Sequence, residues 1–328
     1  MTAPDYAALV IAMAIALLAP IPLRRVLESA GILDIPNSRS SHGHPVLRGG
    51  GLAPLLALLA AVPLLSRVEG RVLAVVAIGL ASAAAMVGLF DDVRALPART
   101  RLAIHVTLGA AGGVLVVRLT ESPWWWAVVM MIVVAAYINM VNFMDGINLI
   151  SGLHGGVAGA ALALAGFLTA TPFLTVGGAL VAVAFLSFLP WNVMGSRMFL
   201  GDVGSYLLGA VLAMLAVAAI ASDVPPLAVL APFSVYVTDT SVTVVRRMLR
   251  KENILEAHRS HVYQVMVRSG RSHVHVAFTV TAFSVVAAGM GLVSLNDVPG
   301  WLCLAGVLLI NAAYLALGAR AQRRVLNS

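Results

Sequence analysis

Apolar residues in this chain come in blocks of about 16 to 22, and that length limits the fold more than any other feature of the sequence. A helix rises about 1.5 Å per residue, so such a block spans the roughly 30 Å hydrocarbon core of a bilayer. Barrel strands would alternate apolar and polar residues in shorter pieces, and no such alternation is present. Of the 328 residues, 60% are hydrophobic and only 11% charged, which could not cover a soluble surface of this size. The mean hydropathy is +0.96. The sequence therefore predicts an all-α polytopic membrane protein, a single transmembrane helical domain over residues 1–328.

Eleven spans are expected, at about 5–23, 51–66, 72–90, 102–118, 124–141, 150–169, 174–190, 203–221, 227–246, 274–295 and 301–319. The loops between them alternate in character. Those at 67–71, 119–123, 170–173, 222–226 and 296–300 are short and plain, whereas 24–50, 91–101, 142–149, 191–202 and 247–273 are polar. The polar loops and the C-terminal tail hold 18 of the 21 Lys and Arg, with only Arg67, Arg71 and Arg118 on the other side. By the positive-inside rule the polar loops face the cytoplasm and the N-terminus lies outside. Trp124, Trp125 and Trp126 then form an outer aromatic belt. The first apolar block lacks a preceding Lys or Arg and reads as a retained span rather than a cleavable signal. Cys303 is the only cysteine, which excludes an internal disulfide and a thiolate metal cluster. The net charge of +7 is read as basic cytoplasmic loops of a polytopic membrane protein, with the bilayer rather than nucleic acid as partner.

Polar groups that could carry chemistry crowd the predicted cytoplasmic rim. In YINMVNFMDGINLISG, from Tyr137 to Gly152, the residues Asn139, Asn142, Asp145 and Asn148 recur every third position, which on a helix is one face. The same pattern also suits a polar helix end beside a turn at Gly146. In SHGHPVLRGGG, Arg48 precedes three glycines, which would let backbone amides approach an anion or simply form a flexible entry to a helix. Asp91 and Asp92 end an apolar span, where two adjacent carboxylates repel unless they share a cation or a proton. Asp202 lies between Gly201 and Gly204 and suits either a helix cap or a Mg2+ that keeps most of its water and bridges phosphates. Asp239, inside the ninth span, calls for a partner such as Arg246 or Arg247. In the last loop, His258, Arg259 and His261 could hold a pyrophosphate beside a basic cluster suited to anionic lipid. Carboxylates for Mg2+ and basic groups for phosphate together suggest a reaction on a phosphorylated substrate at the membrane surface.

Taken in order, SHGHPVLRGGG, FDD, NFMDG, FLGDVGS and AHRSHVYQ resemble the motifs of the polyprenyl-phosphate N-acetylhexosamine-1-phosphate transferases of glycosyltransferase family 4, and the resemblance spans almost the whole chain. It implies transfer of a sugar 1-phosphate from a UDP-sugar to undecaprenyl phosphate on the cytoplasmic face, with release of UMP. It also implies a Mg2+ requirement, with Mn2+ as a substitute, and a homodimer. Residue by residue, it implies Asp202 and Asp92 as metal ligands, and Asp91, Asp92, Asp145 and His258 at the catalytic centre. Asp91 would orient or deprotonate the lipid phosphate, while Arg48, Asn142, Arg259 and His261 would bind substrate. The chain departs from the family's DGxDG at Asn148 and Leu149, and Arg101 stands where a lysine is frequent. Its last loop is closer to the branch that initiates O-antigen and surface polysaccharides. Direct attack by the lipid phosphate on the β-phosphorus is expected, with an aspartyl-phosphate route as the alternative. A transporter or lipid flippase, the alternative function, would place ionisable residues at mid-membrane.

Overall fold

The computed structural model describes residues 1–34, 46–66, 68–193, 198–252 and 259–327. Each of the eleven predicted apolar segments is helical, but they do not make eleven straight spans. Among the described residues, nine helices are long and apolar enough to cross a membrane. They include α4 (Val72–Val93), α5 (Ala98–Thr120), α6 (Trp125–Met144), α7 (Ile150–Leu168), α8 (Pro172–Val193) and α9 (Gly201–Ala221). The remaining three are Pro226–Leu249, α13 (His273–Val293) and α14 (Gly300–Asn327). Pro226–Leu249 is divided into α10 (Pro226–Leu230), a 3-10 turn at Ala231–Phe233 and α11 (Ser234–Leu249).

The other two segments differ from expectation for local reasons. The first is a pair, α1 (Ala3–Leu18) and α2 (Pro20–Ser29), bent by 42°. Pro20, at the bend, has no N–H for the helical ladder. Counted as one span, this pair makes a tenth. The second, α3 (Leu52–Leu65), has 14 residues and reaches about 21 Å, short of a bilayer core. A turn at residues 50–51 leads into it. Val46–Leu47 (β2) pairs antiparallel with Leu33–Asp34 (β1), and Leu47 bridges to Met198.

Small residues let the helices approach closely, as lipid-embedded bundles require. A Cβ on Gly209 would lie 2.6 Å from the Ile138 Cα, and one on Gly88 would lie 2.3 Å from the Asp202 carbonyl oxygen. These contacts clamp α9 between α6 and α4 and leave α9 almost wholly buried. On the face away from the polar loops, the buried Asp5 carboxylate accepts hydrogen bonds from Arg71 Nη2 at 2.7 Å and from the Thr2 backbone N–H at 2.6 Å. That pair ties the start of α1 to the start of α4. The protein is thus an all-α, multi-pass membrane protein, and the ends of α4, α6, α8 and α11 meet the starts of α5, α7 and α9 on one face.

Candidate active site

At the centre of this face residues 47–51, which leave strand β2 and turn into α3, run beside residues 198–200. Phe199 N–H donates to the Leu47 carbonyl at 2.8 Å, Gly50 N–H to Phe199 at 2.9 Å and Gly51 N–H to Leu200 at 2.8 Å. Of the two uses open to the three glycines, an approach of backbone amides to an anion is closed to Gly50 and Gly51, whose amides are consumed by this pairing. What glycine supplies here is closeness: a Cβ on Gly51 would sit 2.2 Å from the Gly204 Cα. The segment sets Arg48 at the mouth of the site, half-buried, with Nη1 3.8 Å from Asp92 Oδ1.

Asp92 has a fully buried side chain. Its Oδ1 accepts from the Asp202 N–H at 3.0 Å and its Oδ2 from the Val203 N–H at 3.1 Å. Asp92 therefore caps the start of α9 from α4, satisfying two of the amides that a helix start leaves open. Gly201, just before it, takes φ +74, and a Cβ there would lie 2.6 Å from Asp92 Oδ2. Only glycine fits this turn without strain.

Asp91 points elsewhere. Its Oδ2 accepts from Tyr206 Oη at 2.7 Å and from Arg101 Nη1 at 2.9 Å, and its Oδ1 from the Leu96 N–H at 2.7 Å. These bonds fasten the 91–101 turn to α9. Tyr206 follows Asp202 by four residues, one helical turn, a spacing that could have flagged it.

Asp202 is the least committed of the three carboxylates. Oδ1 accepts from Asn142 Nδ2 at 2.7 Å, which also reaches Ser205 Oγ at 3.1 Å, while Oδ2 has no hydrogen-bond partner among the described residues. Ser205, which the sequence reading did not single out as a site residue, thus shares the amide that orients Asp202.

Asn142, Asp145 and Asn148 do not share a helical face. Helix α6 ends at Met144, and Leu149 takes φ +73 with its N–H bonded to Asn192 Oδ1 at 2.5 Å. Asn139 turns back to the Ala135 carbonyl at 2.7 Å, and Asn148 is buried. Asp145 lines a small cleft with Ser151, Asn192 and Leu200. Burial pushes its carboxyl up to about 7; the charge of Asp202 adds to the rise and that of Arg48 opposes it.

The last loop is built differently from expectation. His258 lies outside the described residues, and Arg259 is half-buried. His261, expected to bind pyrophosphate, is buried and its Nδ1 lies 3.1 Å from Asp239 Oδ1. Asp239 is thus partnered by His261 rather than by Arg246 or Arg247, and it also accepts from the N–H groups of Val262 and Tyr263 and from Tyr314 Oη at 2.6 Å. It thereby caps α12 (Val262–Arg268) and joins it to α14. Tyr263 Oη in turn donates to the Phe143 carbonyl at 3.0 Å, which docks α12 onto the end of α6 beside Asp145.

The donor set fits a hard cation held jointly with phosphate. No group of three or more His, Cys, Asp or Glu converges among the described residues. Mg2+ takes one or two carboxylates and fills the remaining positions with water and phosphate oxygen. Asp202 offers an unshared oxygen for such an ion, with Asp145 on the same rim. Each oxygen of Asp92 already accepts one backbone amide, which leaves it fewer open positions than Asp202.

Residues 74–220, which include Asp91, Asp92, Asn142, Asp145 and Asp202, match the family model described as glycosyl transferase family 4. Among similar proteins, the undecaprenyl-phosphate alpha-N-acetylglucosaminyl 1-phosphate transferase of Thermotoga maritima is 29% identical over 236 residues, 72% of this chain and 73% of that protein. The decaprenyl-phosphate N-acetylglucosaminephosphotransferase of Mycobacterium tuberculosis is 29% identical over 301 residues, 79% of this chain and 74% of that protein. A phospho-N-acetylmuramoyl-pentapeptide-transferase of Moorella thermoacetica is 33% identical, over 40% of this chain and 49% of that protein.

Proposed function

We propose that this protein transfers a sugar 1-phosphate, of the N-acetylhexosamine type, from a UDP-sugar to undecaprenyl phosphate, giving an undecaprenyl-diphosphate sugar and UMP. The glycosyl transferase family 4 match over residues 74–220 and the names of the similar proteins support this reading. It extends to the first membrane step of a surface polysaccharide of the O-antigen kind, carried out by a homodimer on the cytoplasmic face of a bacterial inner membrane.

The observation that carries the proposal is the state of Asp202: one carboxylate oxygen fixed by Asn142, the other without a partner among the described residues, on a rim shared with Asp145 and Arg48. Asp202 and Asp145 would hold Mg2+, with Mn2+ as a substitute, and the ion would supply charge neutralisation at the transferring and leaving phosphates. Arg48 adds positive charge at the mouth of the site, where a diphosphate must enter. Asn142 fixes the Asp202 rotamer, which preorganises the rim before substrate arrives. Asp92 and Asp91 act as positioning residues, Asp92 by capping α9 directly at Asp202 and Asp91 by anchoring the 91–101 turn. The attacking lipid phosphate carries its own negative charge and needs no carboxylate to deprotonate it.

The test is UMP release by purified protein given undecaprenyl phosphate, Mg2+ and a panel of UDP-N-acetylhexosamines. Wild type should release UMP with at least one donor, and Asp202→Asn should release none while showing an unchanged unfolding midpoint. Near-normal turnover by Asp202→Asn would remove the metal assignment, and no release from any donor by wild type would remove the function.

A further inference from the structure

The surplus positive charge of this chain is concentrated at one end of the bundle. Residues 246–271 and 320–324 hold ten Lys and Arg against Glu252 and Glu256, a net of +8. The rest of the chain holds eleven Lys and Arg against twelve Asp and Glu, a net of −1, so these two short stretches supply the whole excess of +7. The positive-inside rule explains the side of the membrane on which they fall. It does not explain this concentration, because the site-side loops ahead of α11 are close to neutral.

The fold brings the two stretches to one level. Helices α11 and α14 both run toward the site face and are joined by the bond between Asp239 and Tyr314. Equal numbers of residues beyond that bond reach equal depth. Arg246, Arg250 and Lys251 lie seven to twelve residues beyond Asp239, and Arg320, Arg323 and Arg324 six to ten beyond Tyr314. At 1.5 Å per residue, both sets fall roughly 9 to 18 Å past the joint. All six are exposed. Large apolar side chains are exposed among them: Leu249 is 79% exposed, Leu326 74% and Met248 59%. Interleaved basic and exposed apolar side chains at helix ends match the boundary between headgroups and acyl chains, where arginine reaches lipid phosphate and leucine sits in the upper acyl region.

We propose that this basic ledge, at the ends of α11 and α14, is a docking surface for anionic phospholipid headgroups of the leaflet on the site face. Charge complementarity selects the partner, and Met248, Leu249 and Leu326 set the ledge at headgroup depth. By holding the α11–α14 unit against the surface, the lipid also steadies the Asp239 joint from which α12 reaches the active-site rim. The ledge makes no use of Asp202, Asp145 or Arg48, so it stands whether or not the proposed transfer is correct.

The test uses full-length protein in phosphatidylcholine vesicles doped with spin-labelled phosphatidylglycerol or spin-labelled phosphatidylcholine, and compares the motionally restricted fraction of each. Wild type should favour phosphatidylglycerol by about threefold at low salt, and 0.5 M salt should bring the ratio close to one. Two triple variants, Arg246→Gln/Arg250→Gln/Lys251→Gln and Arg320→Gln/Arg323→Gln/Arg324→Gln, should each lose about half of the preference, with unfolding midpoints measured alongside. Arg24→Gln/Arg25→Gln, which removes charge on the same face away from the ledge, should leave the preference intact. A wild-type ratio near one at low salt overturns the proposal without recourse to any variant. Retention of the preference in both folded triple variants, or an equal loss in Arg24→Gln/Arg25→Gln, overturns the location. Displacement of phosphatidylglycerol by an equimolar amount of undecaprenyl phosphate would reassign the ledge to the lipid acceptor and overturn it as a phospholipid surface.

Discussion

A carboxylate offers about four lone-pair positions, and its remaining chemistry depends on how many are taken. Asp91 accepts three hydrogen bonds, Asp92 two from backbone amides, and Asp202 one. Substitutions should sort accordingly. Asp91→Asn leaves Arg101 facing an amide in a mostly buried place and should lower stability by about 2 kcal/mol, with Arg101→Gln giving a similar loss. Asp202→Asn should cost less than about 1 kcal/mol, since Asn142 can still donate to the amide oxygen. Thermal unfolding in detergent measures both, and a larger loss for Asp202→Asn would reverse this division of roles. In the sequence, Asp91 and Asp92 form one acidic pair, because nothing in FDDV tells that one side chain faces Tyr206 and the other the start of a helix 110 residues away. Asp145 carries a further consequence. Its carboxyl titrates at about 7 in the folded protein and near 3.8 when exposed, so between those values the native state binds the extra proton. Stability must then fall as pH rises through that window. Asp145→Asn should flatten the slope between pH 5 and pH 8 and should unfold at a higher temperature than wild type at pH 8. Parallel pH profiles for the two proteins would refute the assignment of the shift to burial.

Elements meet here through close backbone approaches that a hydropathy pattern does not contain. The eleven apolar segments were legible because bilayer thickness fixes their length, and all eleven are helical. The bend at Pro20 and the 14-residue length of α3 were less legible: the first depends on how a proline is accommodated, the second on pairing of residues 47–51 with 198–200. The glycines of GGG and GDVG were noticed in sequence, but their use in packing appears only when α3, α4 and α9 are brought together. Gly88→Ala tests this. Its Cβ would lie 2.3 Å from the Asp202 carbonyl oxygen, so α4 and α9 must separate, at a cost of about 1 to 3 kcal/mol. Because the displaced residue is Asp202 itself, turnover should fall at least about tenfold in molecules that remain folded, with the change in kcat larger than any change in KM for the UDP-sugar. A stable Gly88→Ala enzyme with normal kcat would show that this contact does not hold the site. The Asp239 joint makes a parallel case on the other side of the rim. Tyr314→Phe removes one of its donors and should cost about 1 kcal/mol without reaching Asp202.

The whole molecule has two faces of different character, and its orientation follows from which of them is basic. Every carboxylate and amide of the candidate site lies on the face where α4, α6 and α8 end, while the face where α5 ends and α6 begins carries Glu121 and the exposed Trp124. The positive-inside rule predicts that the first face lies in the cytoplasm, the side on which the proposed UDP-sugar donor would be met. Helix α5 provides a direct reading of this, because exposed residues lie at both of its ends: Arg99 on the site face and Glu121 just past the opposite end, separated by roughly 33 Å of helix. The only native cysteine, Cys303, is buried, so its replacement by serine gives a background without reactive thiols. In that background, a membrane-impermeant maleimide should label Arg99→Cys in inverted membrane vesicles and not in intact cells whose outer barrier has been permeabilised. Glu121→Cys should show the reverse pattern. If the two patterns were exchanged, the site would face away from the cytoplasmic nucleotide pool, and a UDP-sugar could not be the donor even with every side chain placed as described.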